Sequence, residues 1–130
     1  MLRITKVWQY FHCPSTILKL RLLVQFEIMS GNYPNKIKTL PLYDGRFDAY
    51  KLAAENCDVL FASYPAGTSI ASHRHNTDNY GVITKGALNL TMGGETNIIK
   101  TGEWYHVAAG VEHAAEFTEE TDEIEFWFRE

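Results

Sequence analysis

The sequence is short of basic residues, of cysteine and of uninterrupted apolar runs. Lys and Arg total 12 against 16 Asp and Glu, and the formal net charge is −4. No basic cluster interrupts that balance, so a phosphate-backbone partner is disfavoured and no nucleic-acid partner is expected. The only two cysteines, Cys13 and Cys57, make neither a disulfide framework nor a Cys-x-x-Cys pattern. They read as reduced thiols of a cytoplasmic protein. The apolar stretch Ile17 to Ile28 is broken by Lys19, Arg21 and Glu27. It is too short and too charged to span a bilayer, no small-x-small cleavage site follows it, and no membrane partner is expected. A Ser-His-Asp order, a phosphate loop and a Cys-His nucleophile pattern are also missing, as is any good helical period.

What is present suits one all-β domain. A chain of 130 residues is too short for two comfortable domains. Seven Tyr, seven Phe and three Trp suit a barrel lined with bulky side chains. Residues 1–28 differ from the rest: they hold none of the nine glycines and carry +3, leaving −7 for the remainder. Their even positions from Leu18 to Ile28 are apolar, which is a strand pattern. Met29-Ser30-Gly31 resembles a second start. Residues 1–28 therefore read as an extension or an added edge strand, and residues 29–130 as the domain proper.

Within that domain the chain alternates short strands and turns. Lys36 to Leu42 and Phe47 to Leu52 are candidate strands, and Ala53 to Asn56 is a turn. Cys57 to Tyr64, Asn79 to Lys85, Ala87 to Met92, Glu95 to Lys100, Trp104 to Val107 and His113 to Phe117 follow. Gly93-Gly94 is a hairpin signal, because primed turns need positive φ. Thr118 to Asp122 reads as an acidic loop, and Ile124 to Phe128 as a last strand. Many short strands with glycine turns predict a sandwich or barrel.

Two stretches carry the chemistry. The first runs from Gly67 through His73-Arg74-His75 and Asn79 to Gly86. Two histidines one residue apart face the same way on a strand, whereas on a helix they would sit about 200° apart. The pair predicts a strand with two imidazoles on its inner face. The second stretch runs from Gly102 through Gly110 and His113 to Phe117. Three neutral imidazoles that converge make a metal site. The alternative is three polar residues on a barrel wall.

The first stretch resembles the first cupin motif, Gly-x5-His-x-His-x3-4-Glu-x6-Gly, with Asn79 where the glutamate stands. The second resembles the second cupin motif, Gly-x5-Pro-x-Gly-x2-His-x3-Asn, with Ala108 for the proline and Phe117 for the asparagine. Fifteen residues separate the two. The resemblance implies a cupin jelly-roll barrel of two antiparallel sheets, a homodimer and a small-molecule ligand or substrate. It implies a divalent metal ion held by His73, His75, His113 and Asn79, with zinc, iron, manganese and nickel not distinguished. A neutral amide oxygen at position 79 leaves the ion its full charge and favours an anionic ligand. Asp78 is the other candidate ligand, although on a regular strand it faces away from Asn79.

Two functions follow from the resemblance. One is an enzyme, of isomerase/lyase or dioxygenase type, acting on a small oxygen-rich or carboxylate molecule. The other is a non-enzymatic binding or sensing module. The enzyme needs an acid/base near the metal, for which Tyr80 and His106 are the candidates.

Overall fold

The computed structural model describes residues 33–45 and 47–129. The expected edge strand at Leu18 to Ile28, the boundary at residue 28 and Cys13 lie outside the described residues. The described chain is all β apart from one 3-10 turn at Ile37–Thr39. Nine strands follow: β1 Asp48–Ala53, β2 Cys57–Tyr64, β3 Thr68–His73, β4 Asp78–Lys85, β5 Ala87–Met92, β6 Glu95–Lys100, β7 Trp104–Val107, β8 His113–Phe117 and β9 Thr121–Phe128.

They form two antiparallel sheets, one ordered β1-β2-β9-β4-β7 and the other β3-β8-β5-β6. The period-two alternation sends one face of each sheet inward. Ala49, Leu60, Ala62, Tyr64, Ile83, Tyr105 and Val107 of the first sheet meet Leu88, Leu90, Ala115 and Phe117 of the second. Tyr64 stacks on Phe117 with ring centroids 4.0 Å apart, tying the sheets together. The β5–β6 hairpin closes through Gly93 and Gly94 at φ 59° and 79°, the positive region that the turn demands. Gly81 answers a different need. A Cβ there would lie 2.3 Å from the ring of Tyr105 on the neighbouring strand. The missing side chain thus lets that ring lie across β4.

Two expectations change in this framework. Lys36 to Leu42 is not a strand. Between Pro34 and Pro41 it winds into the 3-10 turn, and only Leu42 bridges to Tyr50. Residues 33–40 instead cover part of the outer face of the five-stranded sheet, where Tyr33 packs edge-on against Phe61 at 5.6 Å. Likewise the acidic stretch Thr118 to Asp122 is not all loop. Thr121 and Asp122 are buried in β9, and the Ser63 hydroxyl donates to Asp122 Oδ1 at 2.8 Å.

Candidate metal centre

The register brings the two histidine stretches to one end of the barrel. His73, the last residue of β3, lies directly across from His113, the first of β8. His75 was expected on the same strand as His73, but β3 ends at His73 and His75 follows in the loop. The register shifts between Ile70 and His73, so the strand has lost its regular pairing before it reaches the second histidine. Loop contacts hold His75 in place of the ladder. The Gly110 amide donates to the His75 carbonyl at 2.8 Å. Arg74 pairs with Glu112 at 3.1 Å, and Ser72 donates to the same carboxylate. The exposed ion pair adds little energy, but together these contacts clip the two loops to each other.

One nitrogen from each of the three rings lies within 4.8 Å of the others. An ion about 2.1 Å from each nitrogen would keep them within roughly 4.2 Å, so closing onto one ion needs at most sub-ångström ring movement. The hydrogen bonds decide which nitrogen is free. His73 Nδ1 lies 2.9 Å from the Ala71 carbonyl, His75 Nδ1 2.9 Å from that of Thr77, and His113 Nδ1 2.9 Å from that of Val111. A carbonyl only accepts, so each Nδ1 carries the proton. Each neutral ring therefore presents its Nε2 lone pair, the tautomer that a metal ligand needs. His75 Nε2 is buried and has no hydrogen-bond partner among the described residues. Burial, and then the two neighbouring rings, push the His113 pKa down, which keeps its lone pair available at neutral pH. The three histidines can hold a metal ion.

The wall opposite them comes from the five-stranded sheet. Asn79 is buried and faces inward, across from Val107 on one side and Trp127 on the other. Its Nδ2 makes only a long contact, 3.5 Å, to the Phe126 carbonyl. Trp127 packs edge-on against His75 with centroids 4.7 Å apart. Asp78 faces away as expected, with Oδ1 2.6 Å from His106 Nε2. Tyr80 and His106 lie together on the outside of the sheet, stacked at 4.1 Å. Neither acid/base candidate faces the barrel interior, because both occupy positions one residue out of step with inward-facing Asn79, Gly81, Tyr105 and Val107.

The interior holds polar groups that the motifs do not mark. Glu123 and Glu125 are buried two residues apart on the inner face of β9. Glu125 accepts from Tyr64 at 3.0 Å and from Trp127 Nε1 at 2.9 Å. Glu123 Oε1 accepts from Tyr105 at 3.3 Å, and its buried Oε2 has no hydrogen-bond partner among the described residues. Burial, and then the neighbouring carboxylate, push the Glu123 pKa well above the carboxylate range. A proton on Glu123, directed to Glu125, gives the second oxygen its partner. A cleft of about 200 Å³ lined by Phe47, Asp48, Ser63, Tyr64 and Thr68 opens at the far end of the barrel, away from the histidines.

Residues 60–127 match the model of the cupin domain family, which is more than half of the chain. The chain belongs to the cupin domain family. Solved structures agree on the fold of this cupin. A cupin-2 domain containing protein from Shewanella frigidimarina NCIMB 400 is 18% identical, with TM-score 0.60 over 80% of this chain and 99% of that one. An RmlC-like cupin from the same organism is 15% identical, with TM-score 0.63 over 70% and 85%. KdgF from a Halomonas species is 17% identical, with TM-score 0.61 over 72% and 92%. At these identities the likeness concerns the fold alone. A comparison with curated protein sequences returns no match. No helix among the described residues is long and apolar enough to cross a membrane.

Proposed function

We propose that this cupin binds a divalent metal ion through His73, His75 and His113, with the Asn79 amide oxygen as a fourth ligand, and uses it to hold a small oxygen-rich or carboxylate molecule. The observation that carries this reading is the set of three Nδ1–carbonyl hydrogen bonds. They commit one nitrogen of each ring and leave Nε2 free on three rings that cluster at one mouth of the barrel. Such an ion, when bound, supplies Lewis acidity toward a ligand oxygen, or redox capacity if it is iron. The chain supplies the rest. Trp127 and Val107 give the site apolar neighbours that limit water, and the neutral Asn79 adds no negative charge to repel a carboxylate ligand.

A second reading, a non-enzymatic binding or sensing module, is favoured by the outward positions of Tyr80 and His106. Neither of those groups is placed to move a proton at the histidine mouth. In both readings the protein is a cytoplasmic homodimer. Its contact face is the outer surface of the five-stranded sheet, where Tyr80, Trp104 and Phe128 are 37%, 60% and 42% exposed.

Elemental analysis of protein purified without an affinity tag tests the metal. Wild type should carry close to one divalent ion per chain, and the His73→Ala/His113→Ala double variant almost none. Equal, near-zero metal in both would remove the reading.

A further inference from the structure

Glu125 connects the two polar clusters of the barrel. On one side it accepts from Tyr64 at Oε1, two residues along the same buried strand face from Glu123. On the other, its Oε2 accepts the indole N–H of Trp127 at 2.9 Å, and the same indole packs edge-on against His75 at 4.7 Å. We propose that Glu125, acting through Trp127, is a positioning residue for the metal ligand His75. This rests on the three-histidine reading above.

The reason lies in how unequally the three histidines are held. His73 and His113 face each other in the strand ladder, so their backbones are fixed by the sheet. His75 lies beyond the end of β3. Its ring is oriented by the Thr77 carbonyl at Nδ1 and by the rings around it. Trp127 is itself near the end of β9 and only half-buried, so packing alone leaves its indole room to turn. A hydrogen bond to a buried carboxylate is short and about twice as strong as one between neutral groups. It fixes the indole about its side-chain torsions, and the fixed indole closes one side of the space open to His75. Glu125 is held in turn by Tyr64, which is fully buried and stacked on Phe117. The barrel core thereby reaches the one ligand that the sheet does not hold.

The experiment is a Co²⁺ titration of the full chain, reading the dissociation constant by competition and the visible absorption of the bound ion. Glu125→Met removes the acceptor at similar length. Replacing a group that orients a ligand typically weakens metal binding about 10- to 100-fold, and at one further remove about 10-fold is expected, with an altered Co²⁺ band shape. Glu125→Gln keeps an oxygen for the indole and should stay within about threefold of wild type. In a Trp127→Phe background, which has no N–H, Glu125→Met should cost nothing further, because coupled residues are not additive. An equal loss in both backgrounds, or an unchanged constant in Glu125→Met, overturns the inference and leaves the three-histidine site intact. A wild type that binds no Co²⁺ removes that site, and the inference with it. Should Glu125→Met fail to fold, Trp127→Phe alone decides: weakened binding with a shifted spectrum supports the positioning role, and wild-type binding overturns it.

Discussion

The histidine mouth and the carboxyl pair are both polar clusters in an apolar barrel, and they differ in how they use their hydrogen-bonding capacity. At the mouth, each of three clustered rings directs one nitrogen to a carbonyl and leaves the other free. At the carboxyl pair, Tyr64, Tyr105 and Trp127 supply donors to the oxygens, and a proton between Glu123 and Glu125 accounts for the one left over. The first cluster leaves one buried nitrogen, His75 Nε2, without a partner among the described residues. The second completes itself. Capacity left open marks a place for a ligand, and capacity used internally marks a structural member.

That contrast breaks most readily at the carboxyl pair. Glu123→Ala deletes a fully buried side chain and strips the Tyr105 hydroxyl of its acceptor. Cavity and lost partner together should cost about 3 kcal/mol in urea unfolding, while metal content stays at the wild-type level. Loss of metal without loss of stability would reverse the assignment of the two clusters.

At the mouth the expected effect runs the other way. Zinc at about a hundredfold excess over its dissociation constant should stabilise wild type by roughly 2.7 kcal/mol by mass action. His75→Ala removes the buried Nε2 that has no partner and should abolish most of that gain while leaving metal-free stability near wild type. Differential scanning fluorimetry with and without zinc reads both quantities. A gain of the same size in the variant would exclude His75 from the site.

A smaller effect tests the shared proton. The folded pKa of Glu123 lies well above its unfolded value, chiefly through burial. Between the two values the native state binds a proton that the unfolded chain has released. Stability therefore falls as pH rises from about 4.3 through that window. Glu123→Gln is neutral at every pH and escapes this loss. It should be more stable than wild type at pH 7, with the difference shrinking toward pH 4.5. Urea melts at the two pH values decide it, and parallel pH profiles would argue against a protonated Glu123.

Much of the barrel is legible in the sequence, and so are all three histidines. Cys57–Tyr64, Ala87–Met92, Glu95–Lys100, Trp104–Val107 and His113–Phe117 are strands with the bounds that alternation suggests. Glycine needed at positive φ, as at Gly93-Gly94, marks the turns between them. What alternation does not supply is direction. On β9 it separates Glu123, Glu125 and Trp127 from Ile124, Phe126 and Phe128, yet says nothing about which set faces inward. Here the carboxylates go in, because the register sets them opposite Ala62 and Leu60. The signal that could have found them is Gly81, whose missing side chain makes room for an inward tyrosine on the next strand. Charge misleads at the start of the same strand, where Asp122 is buried by its bond to Ser63. His75 misleads in the opposite sense. The His-x-His spacing finds the imidazole pair but implies a strand through His75, whereas β3 stops two residues short of it, at His73.

The finest test lies where the two clusters meet the same sheet, at Asn79. Its side chain is buried and faces inward beside Trp127, and its amide nitrogen has only a long contact to Phe126. That leaves the carbonyl oxygen able to act as a weak fourth ligand. Asn79→Ala should then weaken metal binding about threefold, the size of one modest polar contact, since three histidines still hold the ion. Asn79→Glu should act in two directions. Without metal, a carboxylate in this buried position has no cation to offset its desolvation, so the variant should be less stable than wild type. With metal, the added charge should tighten the ion and make up that loss, provided the strand tolerates one more methylene. The same negative charge should weaken an anionic ligand even as it strengthens the ion, so oxalate affinity of the metal-loaded proteins should rank Asn79→Glu below wild type. Chelator competition on the three proteins gives the metal affinities. Three identical values would place position 79 outside the coordination shell, and Asn79 would then belong with the self-completing half of the barrel.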